Sequence, residues 1–364
     1  YEMFGEDAKI CAKVLNITLT ARNKSADAVA MCGVPYHAAE NYVYKLTSQG
    51  YKVAICEQIK DTDGKTVLKR DVVSVVTKAT NFCDQQLDHP LPNYILFALN
   101  DSHNKVQLQM IDLSTLSKIE LPSVEQSEIP KICEKYMVSE LVSNLTNLEL
   151  HGNTYFYCFQ SNNYTLEEYI KQYLNSLKLQ GLYERLTNQG LKTNNQSFEL
   201  SHLTLKNLEI FYNYDGTKLD TFFDFINKCK TPMGQRKLFE MVLHPLLDLK
   251  TIEKRQSFSE CLTQQYALME DLGSQLNGIR DIERLTVKIL NSNATPKDLI
   301  ALKQSLQQCF AILQKPIAAW PKEYYQNVQM LPIIMGKLAN LQEEDVKTVI
   351  NTGFIFKVEA SKEL

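Results

Sequence analysis

No long hydrophobic run exists in this sequence. A membrane-spanning helix needs about 18 or more consecutive apolar residues, and nothing in the 364-residue chain supplies them. A secretory leader is not spelled out either. Glycine-rich phosphate loops are missing: neither GxxxxGK followed by Ser or Thr nor GxGxxG occurs, so these residues hold no P-loop. GxSxG and HExxH are absent as well. Histidine is scarce, with six in all, and no two are placed to suggest a metal pair. Strong charge of one sign is lacking too: the net charge is −3 and the pI about 6.1. Bulk basicity therefore does not mark a nucleic-acid binder, although phosphates respond to a local basic patch rather than to the total. An enzyme active site is not expected in this stretch, and no catalytic residue or metal ligand is assigned.

What is present begins with size and apolar content. The length allows two or three domains, and 44% apolar residues are enough for several cores and too many for disorder. Nine cysteines lie scattered at positions 11, 32, 56, 83, 133, 158, 229, 261 and 309. None forms a zinc-knuckle or thioredoxin-type spacing, so they read as reduced, buried thiols of a cytosolic protein. The chain opens on Tyr1 in what already reads as mid-element sequence, so a piece of a longer protein is expected.

The first ninety residues mix periods. Phe4, Ala8, Cys11 and Leu15 recur at helical spacing. Residues 16–20 alternate and are β-branched, which predicts a strand. A polar loop at 22–27, a helix over 40–48 ended by Gly50, and strands over 52–58 and 72–76 follow. Residues 60–70 between those strands carry Lys60, Lys65, Lys69 and Arg70. The product is a small α/β module with a basic edge. Pro90 and Pro92 mark its end. A second α/β unit has strands over 92–99 and 106–112 and helices near 125–136 and 165–177, and the polar 184–200 stretch reads as a linker.

From about residue 201 the pattern is helical. Thr231-Pro232 and Thr295-Pro296 each pair a good N-cap with a proline suited to the first turn, so helices are predicted to start there. Another helix is predicted over 281–290, and the apolar 353–358 stretch could open a further domain. The fold class is multidomain α/β plus all-α, in a helical bundle of similar elements.

Three places invite chemistry. Asp112 ends an apolar strand; it reads as a turn or helix cap, and as a nuclease metal ligand only if further carboxylates joined it. Glu2, between Tyr1 and Met3, is either an ordinary exposed glutamate or a carboxylate placed to hydrogen-bond a base edge while an aromatic stacks. Gly33-Val34-Pro35-Tyr36-His37 makes a tight turn whose ring and imidazole are either packed or presented. Arg22, Lys24, Lys69 and Arg70 are solvated surface unless they share a face; on one face they would contact phosphates, which position a protein without reading sequence.

In order, these stretches resemble the DNA mismatch-recognition family whose bacterial members are called MutS. Tyr1-Glu2-Met3-Phe4 is similar to the tail of the family's G-D-F-Y-E-x-F, and Leu19-Thr20-Ala21-Arg22 to its L-T-x-R. Met31 to Ala38 is similar to M-x-G-V/I-P-Y-H-A, with Glu40-Asn41-Tyr42 and Val53 to Gln58 matching further. In the helical half, Thr204 to Ile210 resembles the family's D-x-x-T-x-x-N-L-E-I. Thr231 to Arg236 resembles T-P-M-G-x-R, followed by Leu243-His244-Pro245-Leu246, and Asp281 to Arg284 resembles D-I/L-E-R. The likeness covers essentially the whole chain.

The resemblance implies a mismatch-recognition domain at 1–88, a shortened ribonuclease-H-like connector at 89–190 and a helical lever at 191–364, with the clamp beginning near 354. It implies binding of mismatched or unpaired bases in duplex DNA. Glu2 would make the base contact, Tyr1, Met3, Met31, Tyr36 and His37 would line the site, and Arg22, Lys24, Lys69 and Arg70 would meet phosphates. The family's wedge Phe would lie one residue before Tyr1, outside this chain. No cofactor is implied within the chain; ATP and Mg2+ belong to the full-length family, a DNA-dependent ATPase. Implied partners are mismatched DNA, a second copy in the full-length form, and a MutL-type protein through the connector. No membrane is implied, and a cytoplasmic, nucleoid-associated place is. The alternatives are a scaffold module that no longer reads mismatches and a metal-dependent nuclease resting on Asp112. The chain departs from the family at Thr77-Lys78-Ala79-Thr80, where T-P-G-T is usual, and at Ser74, where a basic residue is common. By itself the chain is expected to bind DNA weakly.

Overall fold

The structure, a computed structural model, describes residues 1–21, 28–59, 69–81, 90–100, 105–146, 148–150, 154–160, 165–188, 198–291, 294–315 and 330–339. The chain divides into two compact units: Tyr1–Asp88 with Asn93–Leu191, and His89–Pro92 with Lys192–Leu364.

The first unit begins with strand β1 (Glu2–Phe4) and helix α1 (Gly5–Leu15). Gly5 joins them at φ +62, a left-handed conformation that costs glycine least. The helix ends at Asn16, also left-handed, and the backbone stays irregular to Leu19. The strand expected over 16–20 is thus reduced to β2 (Thr20–Ala21). The helix cap takes Asn16, and β2 pairs only where it meets β3 (Ala30–Gly33). The sheet order is β1-β3-β2, all antiparallel. Ala8, Cys11 and Leu15 on α1 meet Cys32 of β3 and Leu46 of α2 (Ala39–Ser48) in one core. Strands β4 (Val53–Ile59) and β5 (Lys69–Val76) form a two-stranded antiparallel ribbon with a register shift at Ile55/Cys56.

The second part of this unit is a six-stranded mixed sheet. Strands β6 (Ile95–Asn100) and β7 (Val106–Asp112) pair as expected. Four more strands complete the sheet: β8 (Ser117–Val124), β9 (Glu140–Ser143), β10 (Tyr155–Cys158) and β11 (Thr187–Asn188). The order is β10-β9-β6-β7-β8-β11, with β9 parallel to β6, β10 to β9 and β11 to β8. Strand β11 falls inside the stretch read as a linker. Leu182 and Tyr183 just before that stretch and Leu186 within it are buried, and that short apolar set holds the chain against the sheet. Helix α3 (Ile129–Lys135) is shorter than the pattern implied, because Gln126–Glu128 turns as a 3-10 helix. Helix α4 (Leu166–Ser176) opens on a capping box between Thr165 and Glu168 and buries Tyr169, Ile170, Tyr173 and Leu174. Burying Ile170 and Leu174 contributes about 1.5–3 kcal/mol each.

The two parts of the first unit meet around a buried acid. Glu140 is fully buried and accepts from the Ala79 nitrogen at 2.7 Å and the Thr77 hydroxyl at 3.0 Å. Burial pushes its pKa up, against the pull of those two bonds and of Lys52 and Lys78. Lys52 lies 3.9 Å over the Tyr157 ring, and burial holds its pKa down. Lys78 lies 4.7 Å over Tyr155, whose hydroxyl donates to the Ser48 carbonyl at 2.9 Å. The Thr77–Thr80 segment thus has a defined role: its backbone N–H at Ala79 caps Glu140 and Lys78 covers an aromatic face.

The second unit is helical in its described residues. It holds α5 (His202–Asn207), α6 (Phe222–Ile226), α7 (Pro232–Leu243), α8 (Leu249–Thr263), α9 (Tyr266–Leu276), α10 (Ile282–Leu290), α11 (Pro296–Leu313) and α12 (Met330–Leu338). Thr231 accepts from the Gly234 nitrogen and Thr295 from that of Asp298, so both Thr-Pro starts cap as anticipated. Arg236 grips Asp281 with two bonds, 2.7 and 2.8 Å, and reaches Glu283 at 2.6 Å. Asp281 also caps α10 through the Arg284 nitrogen at 3.2 Å, and the Arg284 guanidinium donates to the Leu91 carbonyl at 2.9 Å. The apolar 353–358 stretch lies outside the described residues.

Candidate nucleic-acid interface

Register places the front residues. Glu2 pairs with Gly33, Met3 with Cys32 and Phe4 with Met31. Partners across a ladder point to the same side and neighbours along a strand to opposite sides. Glu2, Phe4, Met31 and Gly33 therefore share one face, and Met3 and Cys32 share the other. Met3 packs against the core cluster, so the structure sets it behind the sheet and not beside Glu2. Glu2 is exposed. Opposite it, Gly33 lets the two strands approach closely: an added Cβ would sit 3.3 Å from the Tyr1 carbonyl oxygen and 4.0 Å from Glu2 Cγ.

Tyr1 continues the ladder. Its nitrogen donates to the Val34 carbonyl at 2.9 Å, and the Val34 nitrogen returns a bond to the Tyr1 carbonyl at 2.9 Å. Alternation turns its side chain away from Glu2. The Tyr1 ring stacks on Tyr36, with centroids 5.6 Å apart and planes at 21°, and its hydroxyl donates to Glu57. Burial and then that bond push the hydroxyl's pKa up, so it stays protonated and donates. The paired carboxylate and ring considered for Tyr1-Glu2 are thus split between two faces. Tyr36, 76% exposed at the start of a 3-10 turn over Tyr36–Ala38, presents the open aromatic surface, and His37 beside it is exposed as well.

The basic candidates are only partly placed. Arg70 on β5 is exposed and pairs with Gln58 in the ribbon, on the Ile59 side of the register shift. Lys69 pairs with Ile59, but its side chain lies outside the described residues, as do Arg22, Lys24, Lys60 and Lys65 entirely.

Asp112 is 1% exposed and accepts from the nitrogens of Asn93 at 3.0 Å and Ser114 at 2.8 Å and from the Ser114 hydroxyl at 2.6 Å. It caps the turn after β7. Among the described residues no group of three or more His, Cys, Asp or Glu could hold a metal ion. Cysteine burial holds for Cys11, Cys32 and Cys133, whereas Cys56 and Cys158 are exposed; Cys83 lies outside the described residues.

Glu57 was not singled out as a site residue by the sequence reading, although a signal existed. Along β4, Val53, Ile55 and Glu57 are the half-buried positions and Ala54, Cys56 and Gln58 the exposed ones. A glutamate in phase with the inward-facing apolar residues needs a partner, and Tyr1 is that partner.

A small α/β module that exposes a carboxylate and an aromatic ring, a mixed sheet packed to it, and a second, helical unit define a multidomain α/β and helical protein. The MutS domain I model matches residues 1–85, and the MutS domain III model matches 203–354. The chain belongs to the MutS family. It is 31% identical over 395 residues to the DNA mismatch repair protein MutS of Thermodesulfovibrio yellowstonii, a match covering 98% of this chain and 45% of that protein. The protein of the same name from Caldanaerobacter subterraneus subsp. tengcongensis is 31% identical over 403 residues, covering 98% and 46%. That of Nitratidesulfovibrio vulgaris is 33% identical over 358 residues, covering 87% and 39%. The chain spans about half the length of these curated relatives. No helix among the described residues is long and apolar enough to cross a membrane.

Proposed function

We propose that this chain reads mispaired or unpaired bases in duplex DNA, as part of a MutS protein acting in mismatch repair. The observation that carries this is Glu2: an exposed carboxylate on a short edge strand, opposite a glycine and next in sequence to Tyr1, whose ring stacks on exposed Tyr36, inside the segment matched by MutS domain I. A carboxylate accepts from a base N–H or, protonated, donates to a base acceptor. A mispaired step is unstacked and bent at lower cost than a paired one, so much of the discrimination is deformation energy, and the Glu2 contact adds to it. Met31 shares the Glu2 face, and Tyr36 and His37 stand exposed on the turn that follows β3. Met3 supports the strand from behind. Arg70, with Arg22, Lys24 and Lys69, supplies phosphate contacts that set register without reading sequence.

The finer architecture follows the same reading: a mismatch-recognition domain at 1–88, a connector at 89–190 and a lever at 191–364. The central order β10-β9-β6-β7-β8, an antiparallel trio with two parallel strands added on one side, supports a ribonuclease-H-like connector. Dimerisation, a MutL-type partner at the connector, ATP and Mg2+ in the rest of a full-length protein, and a nucleoid-associated place belong to this proposal.

The test is fluorescence anisotropy at defined salt on the protein at its natural length, comparing a G·T or one-base-loop duplex with its matched duplex. Preference for the defective duplex is expected, reduced by Glu2→Ala. Equal affinity for both duplexes sinks mismatch reading and leaves the scaffold alternative.

A further inference from the structure

Tyr1 is held at three points. Its backbone is locked to Val34 by the reciprocal pair of bonds, its ring rests on Tyr36, and its hydroxyl reaches Glu57 on β4. Glu2 follows one peptide later and is itself paired only through Gly33. A three-residue edge strand has little stiffness of its own, so the direction of the Glu2 side chain is set by what grips its neighbours. Met3 is gripped by the core and Tyr1 by Tyr36 and Glu57.

The acceptor's chemistry is informative. A neutral amide or hydroxyl could also accept from the Tyr1 phenol. An ionised carboxylate, however, is acceptor-only and makes the stronger, shorter O–H···O bond. Glu57 spends its charge on a phenol and lies inward, in phase with Val53 and Ile55. Its neighbour across the ribbon, Asp71, accepts instead from the Val72 nitrogen at 2.8 Å, so it does not compete for the phenol.

We propose that Glu57 is a positioning residue for base reading: through the Tyr1 hydroxyl it fixes the Tyr1–Tyr36 stack, and through that stack it sets both the Glu2 carboxylate and the open face of Tyr36. This rests on the mismatch-reading role of Glu2. The residue touches no base itself. Its effect is to keep β1 from rotating about its two end contacts, so that the contact to an extruded or mispaired base is made without first ordering the strand.

The experiment uses the protein at its natural length with Glu57→Ala, Glu57→Gln, Tyr1→Phe and the double variant Tyr1→Phe/Glu57→Ala. Anisotropy against a one-base-loop duplex and its matched duplex gives the preference, and amide exchange across Tyr1–Val34 reports the strand. Glu57→Ala is expected to cut the preference about tenfold, the scale of one charge-assisted hydrogen bond, with matched-duplex affinity unchanged. Glu57→Gln keeps an acceptor oxygen and should keep the preference. Tyr1→Phe should match Glu57→Ala, and the double variant should be no worse than either, because both remove the same bond. Additive losses, an equal loss for both duplexes, or tighter binding of both by Glu57→Gln would each overturn the proposal. If the parent shows no preference, mismatch reading fails, and amide exchange decides separately: β1 protection unchanged in Glu57→Ala removes the positioning role as well.

Discussion

Glu140, fully buried at the start of β9, accepts a 2.7 Å hydrogen bond from the backbone nitrogen of Ala79, 61 residues earlier in the chain. The bond ties the segment after β5, in the module that carries Glu2, to the middle of the mixed sheet. Burial raises the Glu140 pKa, so the folded chain binds that proton more tightly than the unfolded chain. Stability from this group is therefore complete below the ordinary glutamate value and is lost as pH rises through the raised one. Glu140→Gln keeps an acceptor for Ala79 and has no charge to desolvate. Chemical denaturation at several pH values should show the variant gaining on its parent across that window. A difference that stays flat with pH would refute the assignment. Glu140→Ala, which leaves the Ala79 N–H without its acceptor, should cost about 1–3 kcal/mol.

Gly50 offers a steric test of the same joint. Its φ is +85, and an added Cβ would fall 2.2 Å from the Tyr155 ring. That ring is anchored by its hydroxyl to the Ser48 carbonyl. Gly50→Ala should destabilise the first unit by at least about 1–2 kcal/mol from the backbone alone, with the clash added. Thermal unfolding checks this. Pairing Gly50→Ala with Tyr155→Ala should recover the steric part and leave the backbone part.

Arg236 tests the second unit. With Asp281 it forms a nearly dry, two-pronged pair, their side chains 9% and 3% exposed. Lysine carries the charge but not the planar fork. Arg236→Lys should lower stability by about 2 kcal/mol and Arg236→Ala by about 3 kcal/mol, because Asp281 stays buried with only its cap bond and the Arg284 guanidinium 3.8 Å away. Urea unfolding of the parent and both variants measures the order, and Lys equal to Arg would count against the fork.

Arg70 tests the phosphate reading. It is exposed, and nothing ties it to base recognition. Arg70→Ala should weaken matched and mismatched duplexes alike and reduce the slope of log affinity against log salt by about 0.9. A selective loss for the mismatched duplex would make Arg70 a reader instead.

Much of this was legible in the chain. The spacing of Ala8, Cys11 and Leu15 gave α1, and the Thr-Pro pairs gave the starts of α7 and α11, because caps and helical periods are local chemistry. The TPMGQR and DIER stretches pointed to a family, but not to each other; Arg236 and Asp281 meet across 45 residues of chain. Strand β11 hid in polar sequence because two residues give no period to read.

At the candidate site, the sequence by itself determined which residue types stand at the front: an acid, two tyrosines, a glycine and a histidine in motif order. Only the tertiary structure decided which way they face. The β1–β3 register and the two-residue alternation put Glu2 on the open side across from Gly33 and turned Tyr1 and Met3 behind it. The fold then brought Glu57 to the Tyr1 hydroxyl from 56 residues away. Side-chain direction along a strand is local, but which side meets the core and which meets solvent depends on packing against α1, and that contact exists only once the chain has folded.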